Sequence, residues 1–161
     1  MAVELDALDL RIVDLLLKDA RTPAAQIAEQ IGLSRPAVAD RLDKLERQRV
    51  IRGTTAVIDP AALGKSITAF VSVRGTRPDK VAWKRFRELM QSDEVLEVHT
   101  VAGEDCYLMK VRVDSIGGLN DLVEKLTTPP LSLTTRTTIV MQTFCEKVGG
   151  IDLGANEKEE R

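Results

Sequence analysis

The sequence predicts an α+β chain in two parts, a three-helix unit followed by a β-α-β-β-α-β (ferredoxin-like) sandwich. Three observations predict it. Apolar residues recur at helical spacing three times before Val50. Alternation of period two takes over from Ile67. Between them, RGTTAVIDPAALGK carries the breakers Asp59-Pro60 and Gly64 and reads as a connection between domains. The split βαβ order folds as an antiparallel sheet with helices on one face.

In chain order, the first helix runs over 6–20. Leu8, Ile12, Leu15 and Leu16 form one stripe, and Asp6 acts as N-cap with Asp9 three places on, as in a capping box. In the second, Thr22 can cap, Pro23 can occupy the first helical position, and Gly32 supplies the stop. The third starts at Ser34 and places Val38, Leu42 and Leu45 on one side. Thr55 to Ile58 suit a short strand. Strands follow at 67–74, 95–102, 106–113 and 134–144, the last β-branched and rich in threonine. Helices intervene at 78–90, lined by Ala82, Phe86 and Leu89, and at 115–126, capped by Ser115 and lined by Ile116, Leu119, Val123 and Leu126. The domains are therefore expected at 1–53 and 66–145, joined by a linker with a short strand at 54–65 and followed by a polar tail at 146–161.

With 161 residues, 43 % hydrophobic and 30 % charged, the chain has the composition of a soluble globular protein. No stretch approaches about 18 uninterrupted apolar residues, and MAVELDALDL is acidic where a secretory signal needs a basic start. A cytoplasmic protein without membrane partners is expected. Cys106 and Cys145 form neither a disulfide framework nor a CxxC pair, and one histidine leaves little material for a zinc site, so neither metal nor cofactor is expected. A net charge of −2 argues against non-specific coating of nucleic acid. Yet the window 33–52 carries six cations and three acids, a local +3.

That window contains GLSRPAVADRL. With Val38, Leu42 and Leu45 buried, Pro36, Ala37, Asp40, Asp43, Lys44 and Arg47 point away, with Arg35 and Arg41 on the flanks. Small residues near the helix start, with long cations beside them, allow close approach to base edges while the cations reach phosphates or guanine. The alternative is a solvated face, since Asp40–Lys44 and Asp43–Arg47 are i, i+4 pairs of favourable orientation. A tight turn between two helices of suitable length favours the DNA reading. Ser34 and the helix N-terminus offer backbone N–H groups to a phosphate. The candidate DNA-contact residues are Thr22, Ser34, Arg35, Pro36, Ala37, Asp40, Arg41 and Lys44.

The run LDALDLRIVDLLLKDARTPAAQIAEQIGLSRPAVADRLDKLERQRVI with TTAVIDPAALG, then VLEVHTVAGEDCYLMKVRV with TRTTIVMQT, resembles the Lrp/AsnC (feast/famine) transcriptional regulators over roughly residues 5–145. The resemblance implies a winged helix-turn-helix joined to an effector and assembly domain. It also implies dimers that often build octamers, and control by small molecules, commonly amino acids. A two-fold dimer implies a pseudo-palindromic double-stranded DNA operator, with half-sites about 34–36 Å or a multiple of it apart. The sequence departs from the family pattern in three respects. Arg49 stands where relatives usually carry glycine, Asp40 and Asp43 are acidic where many are basic or neutral, and Cys106 occupies the usual aspartate place of G-x-x-D-Y.

Against that pattern, Gly103, Glu104, Asp105 and Cys106, with Thr135, Thr137 and Thr138, are the candidate effector-binding residues. Backbone N–H groups and hydroxyls suit an amino acid's carboxylate, and Glu104 or Asp105 its ammonium. The alternative is a tight turn beside threonines chosen for strand propensity. Other classes fit less well. An RNA-recognition sheet needs more than 3 % aromatic residues. A dimeric αβ-barrel enzyme with His99 as base lacks a visible partner group, so no catalytic residue is assigned. An amino-acid-binding module without DNA binding leaves the first three helices unexplained.

Overall fold

The computed structural model describes residues 3–75 and 79–146. By its internal contacts the chain divides into two compact units, one built on Met1–Val57 and the other on Ile58–Phe144.

The first unit holds α1 (Ala7–Lys18), α2 (Ala24–Ile31) and α3 (Arg35–Arg47). Asp6 caps α1 in a reciprocal box with Asp9, because each carboxylate accepts from the other's backbone N–H. Gly32 ends α2 in the left-handed conformation (φ 71°), where a side chain would be strained, and the chain turns directly into α3. Ser34 caps α3 by accepting from Ala37 N–H. Ile12, Ile27, Ala28, Val38 and Leu45 form the buried core of this unit. Each fully buried aliphatic side chain there contributes roughly 1.5–3 kcal/mol.

Two local details differ from the sequence reading. Thr22 does not cap α2. Its hydroxyl donates to Asp19 O at 2.7 Å, and Pro23 precedes the first helical residue with no side-chain cap. The strand expected at Thr55–Ile58 is not formed, and 52–59 is irregular chain leading to a single 3-10 turn at Ala61–Leu63. A strand needs a partner ladder for its backbone groups, and none reaches this stretch within the described residues.

The end of α3 shows how the chain manages without the usual glycine. Arg49 adopts φ 57°, its N–H donates to Glu46 O, and Val50 N–H donates to Leu45 O, which is the hydrogen-bond pattern of a Schellman cap. An exposed arginine therefore carries a conformation that costs a non-glycine residue roughly 1 kcal/mol. Arg49→Gly is expected to raise the thermal midpoint of this unit, corresponding to about 1 kcal/mol; an unchanged or lower midpoint would count against this cap.

The second unit holds β1 (Ile67–Arg74), α4 (Lys80–Met90), β2 (Val95–Thr100), β3 (Tyr107–Val113), α5 (Ile116–Thr127) and β4 (Thr134–Ile139). The strands form one antiparallel sheet in the order β2-β3-β1-β4. Ala69, Val71 and Val73 of β1 and Met109, Val111 and Val113 of β3 turn inward onto Ala82, Phe86 and Leu89 of α4 and Leu119, Leu122 and Leu126 of α5. Asp79 caps α4, accepting from Val81 and Ala82 N–H at 2.8 Å, and Ser115 caps α5 through Gly118 N–H.

In α5 the buried stripe is Leu119, Leu122 and Leu126, while Ile116 in the first turn is 59 % exposed. This shifts the predicted lining by one residue, from Val123 to Leu122. The last strand ends at Ile139 rather than 144. Pro78, and the tail from 147 onward, lie outside the described residues. Among the described residues no helix is long and apolar enough to cross a membrane.

Candidate functional site

On α3, Ser34, Arg35, Pro36 and Asp40 are exposed, as are Asp43 and Arg47 further along. Pro36, Asp40, Asp43 and Arg47 follow helical spacing on the side away from Val38 and Leu45. The helix start therefore presents a proline, an arginine and the Arg35 backbone N–H to solvent, since Pro36 has no N–H and those of Ala37 and Val38 donate to Ser34.

Ala37, Arg41 and Lys44 lie on a different edge, at i, i+4 and i+7, turned towards α1. Arg41 Nη1 donates to Asp9 Oδ1 at 2.6 Å and Asp6 Oδ2 at 2.7 Å, and Lys44 Nζ donates to Asp9 Oδ2 at 2.8 Å. Asp9 is fully buried, while the Arg41 and Lys44 side chains stay 26 % and 38 % exposed. This corrects the sequence reading of Arg41 and Lys44 as cations free to meet DNA. A buried carboxylate must be paired, and these two cations pair it. Lys44 is thereby taken from the expected Asp40 pair, and Ala37 is half-buried rather than outward.

The two carboxyls respond to this arrangement. Asp6 lies below the ordinary carboxylate range because Asp9's backbone N–H and the Arg41 guanidinium both donate to it. For Asp9, burial opposes ionisation, but hydrogen bonds from Lys44, Arg41 and the Asp6 backbone outweigh it and hold the group below its usual value. Depressed folded-state values mean that the stabilisation is present above the unfolded carboxyl value of about 4 and is lost as pH falls through the folded values. The helical signal of this unit is therefore expected to melt at lower temperature at about pH 3 than at pH 7, and a variant lacking Asp9 to show a smaller drop. Equal drops in both would contradict the pairing.

In the second unit, the β2–β3 connection carries Gly103 at φ 139°, a backbone region that side chains rarely enter. It brings Glu104 and Asp105 to two arginines that sequence reading missed. Arg74 of β1 donates to Glu104 at 2.7 Å and lies 3.6 Å from Asp105, and Arg136 of β4 donates to Asp105 at 3.1 Å. Cys106 N–H donates to Val73 O at 2.8 Å, and its thiol lies 3.5 Å from Gly75 O. The candidate threonines do not share a face. Thr135 and Thr137 pair with the inward residues Val73 and Val71, whereas Thr138 pairs with Phe70 and so lies on the opposite side with Arg136. The available signal for the arginine pair was one cation on each of strands 1 and 4 set against the acidic Glu104-Asp105 turn, and it needed the strand register to be read.

Two domain families match the chain. The AsnC-type helix-turn-helix domain matches residues 5–46, and the Lrp/AsnC ligand binding domain matches residues 68–149. The HTH-type transcriptional regulator LrpA of Mycobacterium tuberculosis is 36 % identical over 140 residues, covering 87 % of this chain and 92 % of that protein. The leucine-responsive regulatory protein of Escherichia coli is 33 % identical over 141 residues, 86 % of each. Among solved structures, that of Mycobacterium tuberculosis LrpA superposes with a TM-score of 0.76 at 35 % identity, covering 89 % and 97 % of the two chains. Escherichia coli AsnC superposes with a TM-score of 0.79 at 28 % identity and the same coverage.

Helix-turn-helix and ligand-binding unit together define a DNA-binding transcriptional regulator with a small-molecule domain. The chain belongs to the Lrp/AsnC family.

Proposed function

We propose that residues 1–53 read a pseudo-palindromic operator as part of a homodimer in the cytoplasm, and that 66–145 bind an amino acid which alters assembly or DNA affinity. The observation that carries the DNA half is the free start of α3. Ser34 and the helix N-terminus hold a phosphate, Arg35 reaches a base or phosphate, Pro36 and Asp40 fit the groove, and Arg47 adds a cation further along. Arg41, Lys44 and Ala37 serve instead to seat α3 on α1. Six neutralised phosphates per dimer would give a slope of log affinity against log salt of about −5.

The mixed cluster Arg74, Arg136, Glu104 and Asp105 supports an amphoteric effector. A guanidinium can meet the carboxylate and a loop carboxylate the ammonium, and the ligand replaces ion pairs already present. The name of the leucine-responsive relative supports an amino acid. In a screen of the twenty amino acids, a true effector raises the thermal midpoint, by the equivalent of about 2.7 kcal/mol at a hundredfold excess over Kd. Arg136→Gln is expected to abolish the shift. No shift with any amino acid, or an undiminished one in Arg136→Gln, overturns this assignment.

A dimer is supported by the sheet face opposite α4 and α5, where Phe70 is 38 % exposed beside half-buried Leu108. Sedimentation of the full chain tests it. A dimer or a higher even assembly such as an octamer agrees, and a monomer at micromolar concentration does not.

A further inference from the structure

The most positive element of the chain is not the helix that reads DNA. α3 holds four cations and three acids, and Arg41 and Lys44 are engaged with Asp6 and Asp9. α4 holds four cations and one acid, a net +3, while α5, covering the same sheet face, is net −1. Lys80, Lys84 and Arg87 fall within one narrow stripe at i, i+4 and i+7, on the side away from buried Ala82, Phe86 and Leu89. All three are exposed. Among the described residues Lys80 and Lys84 have no acidic partner, whereas Arg85 is drawn to Glu88 at 3.3 Å. The Arg87 guanidinium lies 5.9 Å from the Trp83 ring centroid, a cation–π contact that restricts its motion without neutralising it.

We infer that this stripe is a second DNA-contact surface, holding the sugar-phosphate backbone of duplex that flanks the operator. The inference rests on the chain binding DNA but not on which α3 residues read bases. A rise of 1.5 Å per residue spreads the three cations over about 10 Å, the axial length of roughly three phosphates on one strand. Three cations in line with no acid among them suit a polyanion of uniform charge and offer nothing to base edges, so the contact is indifferent to sequence. A chain of net charge −2 that concentrates +3 on one exposed helix directs the polyanion to that helix.

The test uses the full-length protein and the triple variant Lys80→Gln/Lys84→Gln/Arg87→Gln. One duplex carries only an operator selected by the protein from a random pool, and the other carries the same operator with about two further helical turns on each side. On the long duplex, the variant's slope of log affinity against log salt is expected to be shallower than wild type by about 0.9 for each phosphate no longer neutralised, roughly two to three per protomer. On the short duplex the two proteins are expected to match. Equal slopes on the long duplex overturn the inference. So does a changed sedimentation coefficient of the free variant, which would make the stripe a contact between copies. Arg35→Gln run in parallel separates the two accounts. If it binds both duplexes as wild type does while the triple variant differs on the long duplex alone, the Arg35 contact fails and the α4 surface stands.

Discussion

Asp9→Asn is expected to unfold the helix-turn-helix unit well before the rest of the chain. The carboxylate is completely buried and takes hydrogen bonds from Arg41 and Lys44 while closing the α1 cap. Asparagine keeps the shape and one acceptor but offers two cations no charge. Hydrogen bonds to charged groups contribute more than neutral ones, so a loss of about 2 kcal/mol is expected. A unit of this size buries only about 60 % of its extended-chain surface and has little stability to spare. The midpoint should fall by about 10 °C. The single tryptophan, Trp83, lies in the other unit and reports on it separately. Far-ultraviolet dichroism is expected to show an early helical transition in the variant while Trp83 fluorescence holds its wild-type midpoint. An unshifted dichroism curve would mean that Asp9 is dispensable.

Arg35→Gln is expected to do the opposite, leaving stability unchanged and weakening operator binding. Arg35 is the first residue of α3, is exposed, and has no ion-pair partner among the described residues. Losing a bidentate guanidinium contact costs about 1–3 kcal/mol, so affinity is expected to drop roughly 10- to 100-fold for each protomer engaged. Arg41→Gln makes the contrast sharp. It leaves the buried Asp9 short of a partner and is expected to lower the thermal midpoint first, with binding lost only as the unit unfolds. If the two arginines behaved alike in both assays, the division between a free and a seated cation would fail.

Much of the fold was legible because it is written locally. The caps Asp6, Ser34 and Ser115, the glycine stop at 32 and the period-two run 67–74 each depend on a few neighbours in sequence, and the structure places each as read. The errors fall where local signals compete or end. At the start of α5, Ile116 leans outward because a first-turn side chain need not follow the stripe that buries Leu119. At 55–58, β-branched residues lack a partner strand.

The candidate site was legible in its location but not in its division of labour. Asp9 meets Arg41 and Lys44 across 32 and 35 residues, and Arg136 meets Asp105 across 31. Helical periodicity assigns a residue to a face of its own helix but not to what that face touches. Arg41 and Lys44 therefore read as outward cations until α1 was in place. The β4 threonines were likewise grouped by sequence although alternation along the strand separates them.

The most direct test of base reading by α3 is the ratio of affinities for the selected operator and a scrambled duplex of equal length, measured at one salt concentration. The triple variant Arg35→Gln/Asp40→Asn/Arg47→Gln alters only exposed groups of α3. Wild type is expected to prefer the operator by at least about a thousandfold, and the variant, at unchanged thermal midpoint, to fall within about tenfold of no preference. A variant that keeps the wild-type ratio would show that these groups do not read the bases.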